Sequence, residues 1–159
     1  MLLLLAKVTL ITMFAGNKPR TLAHLCSTLG RARVNILALY APDIRGRSKV
    51  RVWVDMPEEA KAALKAADIR FSEEEVVAME LDNKAGSFGE VAGKLGRANI
   101  NIKYAYAATA DGSVRSTVIM AVPDLTKAIR ILRRKHRYRM LMRPPASRQF
   151  RPYLPSSPS

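Results

Sequence analysis

The side chains best suited to catalysis or metal binding are few in this chain, and their spacing does not assemble a reactive site. Neither of the two histidines, His24 and His136, has a neighbouring set of Cys, Asp or Glu residues at the spacing of metal ligands. The acidic run Glu73-Glu74-Glu75 is expected to form a solvated turn, and Cys26 is expected to be buried and inert on the apolar stripe of a helix. The sequence contains no Ser/His/Asp grouping, phosphate-binding loop or dinucleotide fingerprint. It therefore predicts a protein that is not an enzyme and that uses neither a cofactor nor a metal ion.

The composition is that of a globular protein with a strongly basic surface. The 159 residues are 48% hydrophobic and carry a formal net charge of +14, and the single cysteine excludes an internal disulfide, as suits a reducing compartment. Residues 1–14 are mostly apolar but too few to span a bilayer, which needs about 20 residues. They also lack the preceding basic residues of a signal peptide. We therefore expect a buried strand at this end, a cytoplasmic protein and no membrane contact.

Much of the positive charge lies at the C-terminal end. Residues 133–159 contain 8 Lys/Arg and no acid, whereas residues 1–132 contain 19 Lys/Arg and 13 Asp/Glu. Basic residues alternate here with aromatic ones, which suits nucleic acid. The alternative function is therefore nucleic-acid binding through Arg133, Arg134, Lys135, Arg137 and Arg139. The aromatic signature of RNA-binding sheet domains is absent from the central strands, and this disfavours the alternative.

The sequence repeats itself at an offset of 66 residues. Asn17-Lys18 recurs as Asn83-Lys84. About 16 of some 55 aligned positions are identical without a gap. The further matches include Leu29-Gly30-Arg31-Ala32 with Leu95-Gly96-Arg97-Ala98, Asn35-Ile36 with Asn101-Ile102, Tyr40-Ala41 with Tyr106-Ala107, Gly46 with Gly112, Pro57 with Pro123, and Lys61-Ala62 with Lys127-Ala128. A repeat of this length is too long for a solenoid and predicts a duplicated small domain.

Each copy predicts the element order β-α-β-β-α-β. In the first copy we expect helices from Thr21, acting as N-cap, and from Pro57, with strands at residues 8–14, 34–41, 49–55 and 69–71. In the second copy we expect helices at residues 87–97 and 123–134, with strands at 76–81, 101–108, 114–122 and 138–142. Right-handed crossovers then give α+β, ferredoxin-like units, each an antiparallel sheet with both helices on one face. The predicted domains are residues 1–72 and 73–143, followed by a basic flexible tail, 144–159. The two sheets either join edge to edge or stack.

Four of the aromatic side chains on the predicted strands are candidates for a pocket or for the core. Tyr40, Tyr104 and Tyr106 either line a pocket or pack within the sheet. Trp53 is expected in the core or at an interface. The sequence leaves these alternatives open.

A short motif lies between the first strand and the first helix of each copy. It reads Asn17-Lys18-Pro19-Arg20-Thr21-Leu22 and Asn83-Lys84-Ala85-Gly86-Ser87-Phe88, and in each copy a second asparagine follows the first by 18 positions. This pattern resembles the ACT domain, whose motif is Asn/Asp-x-Pro-Gly-x-Leu, and the resemblance covers residues 5–142. It implies an allosteric regulatory module that binds a small amino acid at the interface between paired domains. It also implies a homodimer or a separate regulated enzyme as partner.

The resemblance further implies which residues contact the ligand. In serine-sensing ACT domains the motif asparagine and the asparagine of the following strand touch the ligand, while the helix N-terminus offers backbone N–H groups to its carboxylate. The predicted ligand-binding residues are Asn17, Lys18, Pro19, Arg20, Leu22, Asn35, Asn83, Lys84, Ala85, Gly86, Phe88 and Asn101. Arg20 replaces the motif glycine of the first copy, where it either crowds the pocket or pairs with the carboxylate. Because the second copy keeps Gly86, although Ala85 replaces its proline, we expect the second loop to be the competent one.

Overall fold

The computed structural model describes residues 3–16, 18–133 and 138–139. Over these residues the chain forms four helices, α1 (Thr21–Arg31), α2 (Pro57–Ala66), α3 (Ser87–Arg97) and α4 (Leu125–Arg133). The strands are β1 (Leu3–Gly16), β2 (Ile36–Tyr40), β3 (Asp43–Ile44), β4 (Arg47–Val54), β5 (Phe71–Asp82), β6 (Tyr104–Ala108), β7 (Arg115–Ala121) and β8 (Tyr138–Arg139). The predicted α+β class and the tandem ferredoxin-like units are confirmed. None of the described helices combines the length and apolarity that crossing a membrane would require.

The strands join into one sheet that runs through both repeats. Its order is β2-β4-β1-β5-β7-β6, with β3 added to β4 and β8 added to the start of β1. Every pairing along this order is antiparallel, whereas β8 pairs with β1 in parallel. Of the two predicted ways of combining the repeats, the structure shows the edge-to-edge one.

The pairing of β1 with β5, which joins the repeats, is symmetric with respect to the duplication. Thr9 lies opposite Glu75, its own equivalent at the offset of 66. On either side of this pair, Leu5 lies opposite Met79 and Met13 lies opposite Phe71. A pseudo-twofold axis therefore passes through the Thr9–Glu75 pair.

The predicted turn at Glu73-Glu74-Glu75 is wrong, because these residues lie inside the 12-residue strand β5. The strand serves as the last strand of the first repeat and the first strand of the second, so the predicted boundary between residues 72 and 73 falls within it. The three charges are compensated across the sheet, which lets the strand continue. Glu73 pairs with Lys61 at 2.6 Å, Glu75 with Lys7 at 2.6 Å, and Glu74 with Arg51 at 3.2 Å on the opposite face.

Each repeat buries a core between the sheet and its own two helices. Because successive strand residues point to opposite faces, Ile11 and Met13 of β1 pack under α1 and α2, whereas Leu5 packs under α3 and α4. The central strands are apolar on their other face too. A third core cluster lies there, away from the helices, and contains Ala6, Val8, Leu10, Trp53, Val76, Ala78, Ile119 and Ala121.

The sheet curls around this third cluster until its two edges meet. Strands β2 and β6 lie at opposite ends of the strand order, yet the ring of Tyr40 stacks on Tyr104 with 5.7 Å between centroids and on Tyr106 with 5.2 Å. The helix-free face is therefore concave, and the tyrosines close it. Trp53, which is 4% exposed, lies in the core of this face.

The constant offset of 66 ends before the last helix of the second repeat. Helix α2 begins at Pro57 and α4 at Leu125, and the buried Leu64 corresponds to the buried Leu132, both at an offset of 68. Two residues are thus inserted after β7, and the identities Pro57/Pro123 and Lys61-Ala62/Lys127-Ala128 do not mark equivalent positions. The predicted helix start at Pro123 is also wrong, since the carboxylate of Asp124 accepts a hydrogen bond from the Lys127 N–H at 2.8 Å in the first turn of α4.

The predicted closing strand of the second repeat, residues 138–142, is described only at Tyr138–Arg139. These residues form β8, which lies beside Leu3 and Leu4 of β1 rather than beside β5. The reason is steric, because the N-terminal half of β1 already occupies the position next to β5 that a fourth strand would take. Residues 140–142 and the predicted tail, 144–159, lie outside the described residues.

Candidate ligand-binding site

A cavity of about 450 Å³ opens on the concave face of the sheet, between the repeats. Strands β2 and β4 of the first repeat supply part of its wall, and β5, β6, β7 and the turn between β6 and β7 of the second supply the rest. The lining residues are Leu37, Ala38 and Trp53 from the first repeat, and Glu80, Tyr106, Ala108, Thr109, Ala110, Ser113, Arg115, Thr117 and Ile119 from the second. We call this space the inter-repeat cavity.

Two side chains of opposite charge line the inter-repeat cavity. Glu80 Oε2 accepts hydrogen bonds from Arg115 Nη1 at 2.9 Å and from the Leu4 backbone N–H at 3.2 Å. The side chains of Glu80 and Arg115 are 30% and 21% exposed, so both are partly shielded from solvent. An anion and a cation held side by side in one partly enclosed space complement a ligand that itself carries both charges.

The remainder of the cavity is mostly apolar, with one hydroxyl left unsatisfied. Trp53 and Ile119 contribute buried apolar surface. The hydroxyl of Tyr106 is buried without a hydrogen-bond partner, which costs about 1–3 kcal/mol unless a ligand or water supplies one. Burial raises the pKa of Tyr106 to about 12, so this hydroxyl is a proton donor at neutral pH.

A cluster of polar side chains fastens the curled sheet next to the tyrosine stack. Glu74 Oε2 accepts from Tyr104 Oη at 2.8 Å and from Arg51 Nε at 3.2 Å. The Arg51 guanidinium lies 4.6 Å from the centroid of the Tyr104 ring and 5.9 Å from that of Tyr40. Burial, followed by the hydrogen bond to Glu74, raises the pKa of Tyr104. The cluster links β4, β5 and β6 and so holds both repeats in the curled arrangement.

The motif loop of the first repeat lies on the surface. Lys18, Pro19 and Arg20 are exposed, Leu22 is 43% exposed, and Asn17 lies outside the described residues. Arg20 has φ 70°, close to the φ 87° of its counterpart Gly86, so it adopts the left-handed conformation that the motif glycine provides. Thr21 is the first helical residue rather than the predicted N-cap, and no side chain caps α1.

The predicted strand asparagine of the first repeat, Asn35, is exposed and meets Asp55 through its backbone. Its N–H donates to Asp55 Oδ1 at 2.9 Å. Its counterpart Asn101 is exposed as well. Asn35 immediately precedes β2 and Asn101 lies three residues before β6, and neither lines the inter-repeat cavity.

The motif loop of the second repeat is connected to the inter-repeat cavity through its asparagine. Asn83 Nδ2 donates to the Ser113 carbonyl at 2.8 Å, and Ser113 Oγ donates to the Arg115 carbonyl at 2.8 Å. Asn83 therefore holds the turn that ends at Arg115. The rest of the loop is exposed, with Lys84 paired to Asp82 at 3.8 Å, Ala85 open to solvent and Phe88 40% exposed.

The two motif loops do not meet in this chain. They follow the C-terminal ends of β1 and β5, which are antiparallel, so they lie at opposite ends of the sheet. By the strand register, Leu81 is level with Leu3, which is 13 positions, or roughly 43 Å at about 3.3 Å per residue, from Gly16. None of the described motif residues predicted to bind ligand lines the inter-repeat cavity.

Sequence reasoning missed Glu80 and Arg115, and it left open the roles of Tyr106 and Trp53. A signal was present, since Glu80 interrupts the apolar run of residues 76–81, where an unpaired carboxylate would be costly. Its partner, Arg115, is 35 residues away in sequence, and only the pairing of β5 with β7 brings the two together. The two predicted roles of the tyrosines, lining a pocket and packing within the sheet, are compatible, because Tyr106 both stacks on Tyr40 and lines the cavity.

The remaining candidates of the sequence lie away from this cavity. His24 is exposed on α1, and Cys26, predicted to be buried, is only partly so, with burial raising the pKa of its thiol. Of the basic residues predicted to bind nucleic acid, Arg133 is exposed at the end of α4. Arg134, Lys135 and Arg137, and the side chain of Arg139, lie outside what the structure describes.

Together, the duplicated fold and the sheet that both repeats share define a paired α+β module. The chain matches the family model of the ACT domain pair over residues 6–136, and it belongs to this family. The predicted resemblance is therefore confirmed. ACT domains are regulatory, non-catalytic modules, and no catalytic family is shown for this chain.

Solved structures share this fold at low sequence identity. Protein BT0572 from Bacteroides thetaiotaomicron is 23% identical, with a TM-score of 0.76, over 81% of this chain and 88% of that one. The ligand-free regulatory subunit of aspartate kinase from Thermus thermophilus is 16% identical, with a TM-score of 0.59, over 82% and 94%. Aspartokinase III of E. coli, in complex with aspartate and ADP, is 15% identical, with a TM-score of 0.54, over 82% of this chain and 31% of that one. No curated protein sequence matches the chain significantly.

Proposed function

We propose that this chain is a regulatory protein that binds a free amino acid in the inter-repeat cavity. The observation that carries the proposal is the Glu80–Arg115 pair, because the two charges face the same cavity. Arg115 is placed to receive the α-carboxylate of the ligand, and Glu80 its α-ammonium group. The described hydrogen bonds of Glu80 all use Oε2, so Oε1 can accept from the ammonium group without breaking them.

The size and lining of the cavity favour an amino acid with an apolar side chain. Its volume of about 450 Å³ falls within the range of about 300–1,000 Å³ usual for ligand pockets. Trp53, Ile119 and Leu37 offer apolar contacts for the ligand side chain. The Tyr106 hydroxyl would gain a partner in the ligand carboxylate, which would remove the cost of its burial.

The proposed regulatory mechanism is a shift between two degrees of curl of the sheet. Strands β2 and β6 contact each other through tyrosine rings and not through a backbone ladder, so the seam between the repeats is weaker here than at β1 and β5. A ligand that touches both sides of the cavity stabilises the more closed arrangement by its differential affinity. A second copy of the chain or a regulated enzyme would respond to that arrangement. The similarity to a regulatory subunit of aspartate kinase supports a partner of the second kind.

The second motif loop is the alternative site for the ligand carboxylate. Helix α3 has no side-chain cap, Gly86 leaves its first turn open, and Ser87 Oγ is buried without a partner. These features suit an anionic group at the helix N-terminus. In this alternative Asn83, Lys84 and Phe88 surround the ligand, as the family resemblance implies.

Tryptophan fluorescence tests the proposal directly, because Trp53 is the sole tryptophan and lines the cavity. Titration with each of the twenty amino acids should change the emission for one or a few of them. A thermal-shift assay with the same ligands should show stabilisation, since binding to the native state raises the apparent stability. A flat response to all twenty in both assays would refute amino-acid binding.

Matched variants then locate the site. Arg115→Gln should weaken binding at least tenfold, because a charge-assisted hydrogen bond contributes about 1.5–3 kcal/mol. Lys7→Gln is the control, since Lys7 also pairs with a β5 carboxylate but lies outside the cavity. Gly86→Val should leave binding in the inter-repeat cavity intact. If Gly86→Val abolishes binding and Arg115→Gln does not, the motif loop is the site.

A further inference from the structure

A second and larger cavity lies in the first repeat, where β1 ends and β4 begins. Its volume is about 960 Å³, and it is bounded by the end of β1, the start of β4, the end of α2 and the segment that leads into β5. We call it the basic cleft. Its lining residues are Phe14, Ala15, Gly16, Arg47, Ser48, Lys49, Lys65, Ile69, Arg70 and Phe71.

Four of the ten residues that line the basic cleft are cationic, and none is acidic. Arg47, Lys49, Lys65 and Arg70 are all exposed. Within the part of the chain that the structure describes, none of the four takes part in a salt bridge, and Lys49 meets only the ring of Phe14, at 5.8 Å. Uncompensated charges gathered in one cleft repel one another, and an anionic ligand relieves that repulsion.

The acids nearest in sequence do not neutralise the basic cleft. Asp43 Oδ1 accepts a hydrogen bond from the Gly46 N–H at 3.1 Å, within its own turn. Asp68 lies in the turn after α2, where its φ is 55°. Neither belongs to the lining of the cleft.

The counterparts of Phe14, Arg47 and Lys49 in the second repeat carry no net charge, although Lys65, at the offset of 68, corresponds to the cationic Arg133. Arg47 corresponds to Ser113, and Phe14 corresponds to Glu80. Lys49 corresponds to Arg115, which is neutralised by Glu80 at 2.9 Å. The excess of cations at these matched positions is therefore a property of the first repeat and not of the duplicated fold.

We propose that the basic cleft binds a small ligand that carries two or more linked phosphate groups. Guanidinium groups bind phosphate oxygens in pairs, and ammonium groups add point charges, so two of each suit a chain of phosphates. A zwitterionic amino acid does not fit, because no carboxylate lines the cleft to receive its ammonium group. Phe14, which is 48% exposed, offers a flat apolar surface on which a ring attached to the phosphates can stack. This site is separate from the inter-repeat cavity and does not depend on amino-acid binding.

With a single-stranded oligonucleotide as a comparison, isothermal calorimetry on the full chain tests the proposal with two probes, inorganic pyrophosphate and ADP. Both share the linked phosphates, and only ADP adds a ring. The variant Arg47→Ser/Lys65→Gln removes two cleft cations, and Arg47→Ser introduces the residue that the second repeat has. The control Lys103→Gln/Arg130→Ser removes two exposed cations outside the cleft and so matches the change in net charge.

We expect both probes to bind the wild type and the control, and the cleft variant to lose at least tenfold in affinity. Tighter binding of ADP than of pyrophosphate would indicate that the nucleoside adds contacts, as stacking on Phe14 would provide, and equal binding would assign the affinity to the linked phosphates alone. Either result supports the proposal. Absence of binding at low salt, or equal losses in the cleft variant and the control, would overturn it. So would binding confined to a single-stranded oligonucleotide probe, because this would indicate a nucleic-acid surface.

Discussion

The two repeats have the same fold, but they place different side chains at the matched positions where the sheet faces a cavity. The second repeat carries Glu80 and Arg115, which bond to each other at 2.9 Å. At the equivalent positions the first repeat carries Phe14 and Lys49, which meet only as a ring and a cation 5.8 Å apart. One repeat therefore presents both signs of charge, and the other presents positive charge alone. Duplication kept the framework and allowed the charge at these matched positions to differ between the halves.

The two faces of the sheet differ in how closely the repeats match each other. Positions under the helices are matched in size and burial, as at Leu29 and Leu95, both 0% exposed. Several positions on the concave face differ, since Trp53 corresponds to Ile119 and Arg51 to Thr117, although Tyr40 and Tyr106 are identical. The helix-covered face thus preserves packing, whereas the concave face carries the differences in chemistry.

The largest expected effect tests whether the halves are independent. Leu64→Ala and Leu132→Ala empty matched core positions that are both 0% exposed, so each should cost about 2–5 kcal/mol of unfolding free energy. Because β1 and β5 belong to both repeats, each variant should still unfold in a single transition by urea denaturation. Leu22→Ala, at a position 43% exposed, is the control and should cost far less. Two separate transitions in either core variant would show that the repeats unfold independently.

The next effect concerns the charge that distinguishes the cavities. Glu80→Gln makes the second repeat resemble the first by removing its carboxylate. Affinity for the amino acid should fall roughly tenfold to a hundredfold, which corresponds to about 1.5–3 kcal/mol for a charge-assisted hydrogen bond. The corresponding carboxylic acid without an amino group provides the control, measured by Trp53 fluorescence. The variant should bind this analogue at least as well as the wild type does, and an equal loss for both ligands would contradict the assigned role of Glu80.

A smaller effect should be seen in alkaline solution. The folded-state pKa of Tyr106 is raised to about 12, whereas an unfolded tyrosine ionises near pH 10, so the fold disfavours the phenolate. The stability that depends on the neutral phenol is complete below about pH 10 and is lost as the pH rises towards 12. Allowing for partial exposure, the loss should be roughly 1–2 kcal/mol. Tyr106→Phe should reduce the slope of this part of the pH profile in urea melts, and an unchanged slope would contradict the assignment.

The smallest effect compares the two loop conformations. Arg20 and Gly86 occupy the same left-handed region, with φ 70° and 87°, but only glycine does so without steric cost. Arg20→Gly should therefore stabilise the chain by roughly 0.5–1 kcal/mol, and Gly86→Ala should destabilise it by about 1 kcal/mol. No atom lies within 4 Å of a Cβ added at Gly86, so the second change measures backbone strain alone. Melting temperatures that shift in the same direction for both variants would disprove this explanation.

The parts of the fold that sequence predicted are those set by local patterns. Alternation at residues 49–55 predicted strand β4, and Pro57 correctly marked the start of α2. The continuity of β5 was missed because Glu73 and Glu75 look like surface residues until Lys61 and Lys7 are brought against them from other elements. This neutralisation of charge depends on residues distant in sequence, so the local sequence pattern does not predict it.

The site was less predictable than the fold, for a related reason. The motif around Asn83 could be found because its residues are consecutive, and the structure does connect it to the turn at Ser113. The Glu80–Arg115 pair depends on the register between β5 and β7, and the cavity depends on the curl that brings β2 against β6. Periodicity predicts strands and their faces, but it does not give the curvature of a sheet.

The register at Thr9 and Glu75 has a consequence for the history of the molecule. A strand that lies opposite its own equivalent has the geometry of an isologous contact, in which a half-length chain would pair β1 with the β1 of an identical copy. Such a homodimer must hold two identical sites, because every substitution appears twice. Joining the halves into one chain removes that constraint, and Glu80 is then free to differ from Phe14. The β1–β5 pairing therefore keeps the symmetry of a homodimer, whereas the matched positions of the two repeats, such as Phe14 and Glu80, have become different.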